Sequence, residues 1–311
     1  MITVIMPVYN EGPYIYENVR KTDAILQDAN IDHRFLLVDD GSKDKTWEEL
    51  CRLHDDFPYV ETIRLSRNFG KEAALCAALE NATGDAVVVM DADLQHPPKY
   101  IPEMVAKWQE GYDVVECVKT ARQKESLFNR LFAKLFYKTF KASTGLEIDA
   151  ASDFKLIDRA ALEAWKKLPE HNTFFRGLSV WVGFKRYQMP FEVAEREGGE
   201  TKWTFRKLVK LAVDSITAYT TAPLLAILWI GVLMFGVAIV LAAITLVRYF
   251  IPDSSASGIP TVILLLLFIG SCLMISLSIL GLYVARIYDE VKGRPRYLIM
   301  DYRKEDSNET P

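Results

Sequence analysis

Two stretches of this chain carry no charged residue, Ser215 to Val247 and Ser254 to Ala285, and they restrict its fold more than any other feature. Each exceeds the ~20 apolar residues that cross a hydrocarbon core, and neither keeps the polar face of a helix packed on a soluble domain. Two transmembrane helices are therefore expected, near 221–247 and 260–285, in preference to two buried core helices. The link between them, RYFIPDSSASG from Arg248 to Gly258, has one Arg and one Asp. The outer flanks carry Lys202, Arg206, Lys207 and Lys210 on one side and Arg286, Lys292, Arg294 and Arg296 on the other. Basic flanks stay in the cytosol, so residues 1–200 and both termini are expected to be cytoplasmic, with the chain in the inner or plasma membrane. Met1 leads straight into a strand pattern without a basic leader, so no cleavable signal peptide is expected. Residues 286–311 read as a cytoplasmic tail, anchored by its basic residues against lipid headgroups.

The net charge of −4 over 311 residues averages across this partition and hides it. Ahead of the apolar stretches the chain alternates apolar runs with helical periodicity. Ile2–Val8, His33–Val38, Val60–Leu65, Val87–Met90 and Val114–Val118 read as strands, with helices over Tyr14–Ala29, Trp47–Leu53 and Leu75–Ala82 between them; further on, Phe154–Ile157 reads as a short strand, Thr173–Val182 as a helix and Gly183–Val193 as a pair of edge strands. Such alternation implies a parallel sheet wound with right-handed crossovers. Cys51, Cys76, Cys117 and Cys272 are scattered without a C-x-x-C, which argues against a zinc site and fits a reducing compartment.

Three of the strands end in polar clusters: Asn10 and Glu11, Asp39 and Asp40, Asp91 and Asp93. In an open α/β sheet these ends share one edge, where ligands bind. The sharpest is VVVMDADLQHPP, Val87 to Pro98, a buried strand stopped by Pro97-Pro98 and tipped with two carboxylates one residue apart. Asp91 and Asp93 repel each other unless a cation lies between them. With the amide of Gln95 they offer hard oxygen donors suited to Mg2+ or Mn2+, which in turn hold a substrate's phosphates. A solvated turn explains any one of these clusters, but not three at one edge. Neither G-x-x-x-x-G-K-[ST] nor G-x-G-x-x-G after the first strand is present.

PVYNE, DDGSKDKT, SRNFGKEAA, DADLQHPP, SDFKLIDR, the EREGGETKW element and GLYVARIYDEVKGRPRY together resemble the family-2 glycosyltransferases of the polyprenyl-phosphate type. Dolichyl-phosphate mannose synthases and bactoprenol glucosyltransferases belong to that group, and the resemblance runs over nearly the whole chain. It implies an α/β fold of the GT-A kind, Rossmann-like with a mostly parallel sheet, followed by interfacial helices and a two-helix membrane hairpin. It further implies a nucleotide-sugar donor, a divalent metal at Asp91, Asp93 and Gln95, and inverting transfer of one sugar to a polyprenyl phosphate. Pro7, Tyr9, Glu11, Asp39 or Asp40, Lys71 and Asp91 are then expected at the donor, and Asp153 near the reacting centre. His96 and Ser152 depart from the residues expected at their positions, without removing a ligand.

Between Lys119 and Lys141, Leu127, Phe128, Leu131, Phe132, Leu135, Phe136 and Phe140 recur at helical spacing, with Arg130, Lys134 and Lys138 on another face. An amphipathic basic helix of this kind suits the membrane interface. Arg122 and Arg130 are the candidates for the acceptor phosphate, which a guanidinium fork matches in geometry. Arg196 and Lys202, flanking Gly198-Gly199, are the candidates to close over the donor diphosphate. A juxtamembrane helix is expected over 201–220.

The expected partners are thus a nucleotide-sugar, polyprenyl phosphate and the membrane, with no nucleic acid and with self-assembly left open. UDP-glucose is the first-choice donor and undecaprenyl phosphate the first-choice acceptor. A processive polysaccharide synthase, the enzymatic alternative, calls for Q-x-x-R-W and further spans, neither of which is present. A membrane adaptor that binds nucleotide-sugars without turnover is the non-enzymatic alternative.

Overall fold

The computed structural model describes residues 1–119, 151–168, 175, 182–191, 221–249 and 259–304. These form two compact units, Met1–Trp203 with Pro295–Pro311, and Thr204–Arg294. The helices expected over 119–141, 173–182 and 201–220 lie outside the described residues, apart from Lys119, Phe175 and Val182.

The first unit is built on one eight-stranded sheet. Its strands are β1 (Ile2–Val8), β2 (His33–Asp39), β3 (Val60–Leu65), β4 (Ala86–Val89), β5 (Val114–Lys119), β6 (Ala151–Asp158), β7 (Arg186–Phe191) and β8 (Ile299–Arg303). Their order across the sheet is β7-β5-β6-β4-β1-β2-β3-β8. Helices α1 (Ile15–Asp28), α2 (Thr46–Asp56), α3 (Lys71–Asn81), α4 (Ile101–Gln109) and α5 (Arg159–Lys166) cover it.

The apolar runs make this arrangement possible. Val87, Val88 and Val89 are fully buried, as expected of a strand with helices on both faces. On one face Val4, Met6, Phe35 and Val88 pack with Ile15, Val19 and Leu26 of α1, Leu50 and Leu53 of α2, and Met104 of α4. On the other, α3 lies against β1 and β2, and every residue from Ala74 to Leu79 is buried. Its alanines let the helix approach the sheet closely.

β1 pairs in parallel with both β2 and β4, so the chain winds outward through β3 and then crosses to the far side of β1. That reversal leaves a crevice at the carboxyl ends of β1 and β4. The winding is not parallel throughout. β6 runs antiparallel to β4 and β5, and β8 antiparallel to β3. The short strand expected at Phe154–Ile157 extends over Ala151–Asp158, and its reversal brings its amino end to the edge where β4 finishes. Between Gly183 and Val193, expected to give two edge strands, the described residues hold one, β7, parallel to β5.

The segment expected as a tail also differs. Ile299–Arg303 closes the β3 edge, placing Arg303, Tyr302 and Asp301 opposite Thr62, Ile63 and Arg64. Ahead of it, Arg296 and Tyr297 both bond to Glu80. In the second unit, α6 (Ala222–Tyr249) and α7 (Ile259–Val291) contact each other. Each holds a stretch long and apolar enough to cross a membrane, Pro223–Leu241 at mean hydropathy 2.9 and Phe268–Val291 at 2.1, both 0% buried. The core helix of a soluble domain is mostly buried, unlike these two stretches.

Candidate active site

A cleft of about 300 Å³ opens at the switch between β1 and β4. Pro7, Val8, Tyr9 and Glu11 line it from the end of β1, Asp40 from just past β2, Asn68, Gly70 and Lys71 from the turn after β3 and the start of α3, and Asp91, Ala92 and Asp93 from the turn after β4. Of the residues expected at donor and metal, Pro7, Tyr9, Glu11, Asp40, Lys71, Asp91 and Asp93 share this one wall.

The loops forming the rim are tied to one another. Asn10 N–H donates to Ser42 Oγ at 2.9 Å, Glu11 N–H to Thr46 Oγ1 at 2.9 Å, and Lys43 N–H to Asn10 Oδ1 at 3.0 Å. Gly41 adopts φ +65, and a Cβ there would meet the Arg67 carbonyl carbon at 2.4 Å, so only glycine lets the loops after β2 and β3 touch.

The two aspartates after β2 have different surroundings. Asp40 accepts the Phe69 and Gly70 N–H groups at 2.7 and 2.9 Å, which shapes the turn leading into α3. Burial pushes its carboxyl above the ordinary aspartate value, against the pull of those two bonds. Asp39 is fully buried off the cleft wall, with one oxygen on Ser42 N–H at 2.9 Å and the other 3.4 Å from Arg64 Nε. Burial raises its pKa as well, opposed by the Ser42 bonds and Arg64.

The Asp91–Asp93 turn is held from three directions. Asn18 Nδ2 on α1 donates to the Ala92 carbonyl at 2.9 Å. Asp93 Oδ1 accepts Gln95 N–H at 3.1 Å, while Leu94 takes φ 55. His96 Nδ1 accepts Asp91 N–H at 3.1 Å, and its ring stacks on Phe154 at 5.2 Å and meets Phe191 edge-on at 5.9 Å. His96 is therefore a buried strut beneath the turn. Gln95 is not among the residues that line the cleft; its backbone N–H fixes Asp93.

Lys71 brings the positive charge. Its Nζ lies 2.6 Å from Asp91 Oδ1 and 2.7 Å from Asp153 Oδ2, at the amino end of β6. Burial lowers the pKa of this ammonium, but Asp91 and Asp153 outweigh it and hold the group above the ordinary lysine value. That Lys71 joins Asp91 to Asp153 was not legible in the sequence, because the contact with Asp153 spans 82 positions and depends on the reversed direction of β6. Asn68 and Gly70 were legible only as parts of the SRNFGKEAA motif.

Asp91 and Asp93 fit a divalent cation that takes further ligands from a bound diphosphate, since both are hard oxygen donors on one open wall. Among the described residues, no three His, Cys, Asp or Glu side chains enclose a metal by themselves. Arg122, Arg130, Arg196 and Lys202 lie outside the described residues.

Comparison with known proteins agrees with this geometry. The family model "Glycosyl transferase family 2" matches residues 3–165. The uncharacterized glycosyltransferase YkcC of Bacillus subtilis is 38% identical over 298 residues, covering 96% of this chain and 92% of its own. The prophage bactoprenol glucosyl transferase homolog of Escherichia coli is 35% identical, covering 97% and 99%. The bactoprenol glucosyl transferase of Shigella phage SfV is 34% identical with the same coverage. Among solved structures, glucosyl-3-phosphoglycerate synthase from Mycobacterium tuberculosis, in complex with Mn2+, UDP and phosphoglyceric acid, superposes with a TM-score of 0.51 at 19% identity. It covers 70% of this chain and 76% of its own. At that identity the likeness concerns the fold.

Proposed function

Because the chain belongs to glycosyl transferase family 2, we propose that it moves glucose from UDP-glucose to a polyprenyl phosphate at a membrane surface, with inversion at the anomeric carbon. One observation carries this reading. Bactoprenol glucosyl transferases align with 97% of the chain, so the likeness runs through both candidate spans as well as the donor half. The E. coli and phage proteins are named for glucose and bactoprenol; the same donor and acceptor are proposed here on that basis.

In this reading Pro7, Tyr9, Glu11 and Asp40 receive the nucleoside, with Asp39 supporting the loop from behind. Asp91 and Asp93 would hold Mg2+ or Mn2+ at the donor site. When bound, such an ion offsets the charge that gathers on the leaving group, usually the largest catalytic contribution. Arg196 and Lys202 are assigned to the same diphosphate, and Arg122 and Arg130 to the lipid phosphate. A phosphate monoester has its second pKa near ~6, so the acceptor is mostly dianionic at neutral pH and a general base is not obligatory. Asp153, already paired with Lys71, then serves to position that ammonium and the incoming acceptor.

The catalytic unit and both termini are assigned to the cytosolic side, with α6 and α7 as a membrane hairpin. Supporting this, β8 belongs to the same sheet as β1, so the chain enters α6 from, and returns after α7 to, one folded unit. The deciding experiment offers purified protein a panel of labelled sugar nucleotides with undecaprenyl phosphate and Mn2+. Label passing from UDP-glucose into the lipid, with the opposite anomeric configuration in the product, is expected. Transfer from another sugar alone overturns the donor assignment, and retention of configuration overturns the direct displacement.

A further inference from the structure

Lys71 stands where its own helix does not favour it. It is the first residue of α3, and the amino end of a helix repels a cation. Two carboxylates from other elements overcome that repulsion, Asp91 in the turn after β4 at 2.6 Å and Asp153 in β6 at 2.7 Å. The Asp91 oxygen taken by the ammonium belongs to the same carboxylate assigned above to a divalent cation.

We propose that Lys71 is a tethered counter-ion on Asp91, displaced only when a divalent cation arrives with a nucleoside diphosphate, and then shared between Asp153 and that diphosphate. The inference rests on the donor reading of the cleft. An ammonium and a divalent cation on one carboxylate repel strongly at such short range. A diphosphate relieves the repulsion, because its negative charge attracts both cations. Asp153 makes the exchange feasible, since Lys71 keeps one carboxylate partner when it leaves the other. The Lys71 side chain lines the cleft and retains 43% exposure, so it can turn toward a ligand there without movement of the backbone.

The consequence is coupling. The divalent cation alone should bind weakly, the cation with nucleoside diphosphate well, and each should raise the affinity of the other by the same factor. Lys71 would thereby keep Asp91 neutralised in the empty enzyme and reserve metal binding for the donor complex.

The test is a titration of full-length protein in detergent with Mn2+, free Mn2+ being read by electron paramagnetic resonance, with and without UDP. Lys71→Met should bind Mn2+ alone about tenfold more tightly than wild type, within the usual range of coupling energies, and UDP should improve that binding far less. Lys71→Arg, which keeps the charge, should stay close to wild type. Should Lys71→Met fail to fold, Lys71→Gln is read the same way. Unchanged or weaker binding of Mn2+ alone by the neutral variants overturns the counter-ion role while leaving the donor site intact. Absence of Mn2+ binding by wild type even with UDP overturns the donor reading, and this inference with it.

Discussion

Glu116 and Lys155 face each other across β5 and β6 with their charged atoms 2.8 Å apart and side-chain exposures of 1% and 0%. A buried pair of this kind adds little net stability when whole and costs much when halved. Among the described residues the second Glu116 oxygen accepts no hydrogen bond, and it lies 3.9 Å from Arg186. Lys155→Met should therefore cost the catalytic unit about 3–5 kcal/mol, measured as a lower urea midpoint. Adding Glu116→Leu should restore most of that loss. A double variant as unstable as the single one would show that the pair does more than balance charge. At this scale the sequence showed unequal amounts. Asp91 and Asp93 were legible because three strand ends at one edge each carry a polar cluster, a coincidence that a solvated turn does not explain. The contact of Lys71 with Asp153 and the stacking of His96 on Phe154 were not, because each joins residues distant in sequence.

Among the elements, the alternation of strand and helix was readable from hydrophobic period alone, and with it the edge that carries the cleft. Strand direction was not. Phe154–Ile157 is a short strand pattern that fits either orientation, and the long stretch before it conceals which way the chain returns. β8 was missed for another reason: YLIMDYR is short and follows a run of basic residues, so its β-forming side chains were read with the tail. It now accounts for the β3 edge, which would otherwise offer unpaired backbone to a neighbour. Tyr302 Oη donates to Glu61 Oε2 at 3.0 Å, and Glu61 also takes Arg34 at 3.1 Å. Tyr302→Phe should cost about 1–2 kcal/mol, as expected for one hydrogen bond to a charged group. Removing residues 299–311 should accelerate amide exchange across Val60–Leu65. Unchanged exchange there would mean that β8 does not protect the edge.

For the whole molecule, the division at the two uncharged stretches was legible because charge is so costly in hydrocarbon that its absence over such lengths is informative. The return of the chain to the catalytic sheet was not, since it is a property of tertiary pairing. That return fixes an expectation for topology: both flanks of the α6–α7 pair lie on one side. A cysteine introduced at position 255 should react with an impermeant thiol reagent from outside the cell, and one introduced at 306 should not. Labelling of both, or of 306 alone, would place the catalytic unit on the wrong side for a cytosolic nucleotide-sugar. The most direct measurement of the central claim combines donor, metal and lipid in one assay. Purified full-length protein is given UDP-[14C]glucose, undecaprenyl phosphate and Mn2+, and label is counted in the organic phase for wild type, for Asp93→Asn and for wild type in EDTA. Wild type should yield a labelled lipid, while Asp93→Asn and EDTA should lower the rate by at least about a hundredfold, the scale of losing a principal electrostatic stabiliser. No lipid-linked label from wild type, or label formed equally well by Asp93→Asn or in EDTA, would contradict a metal-assisted transfer of glucose to polyprenyl phosphate at this cleft.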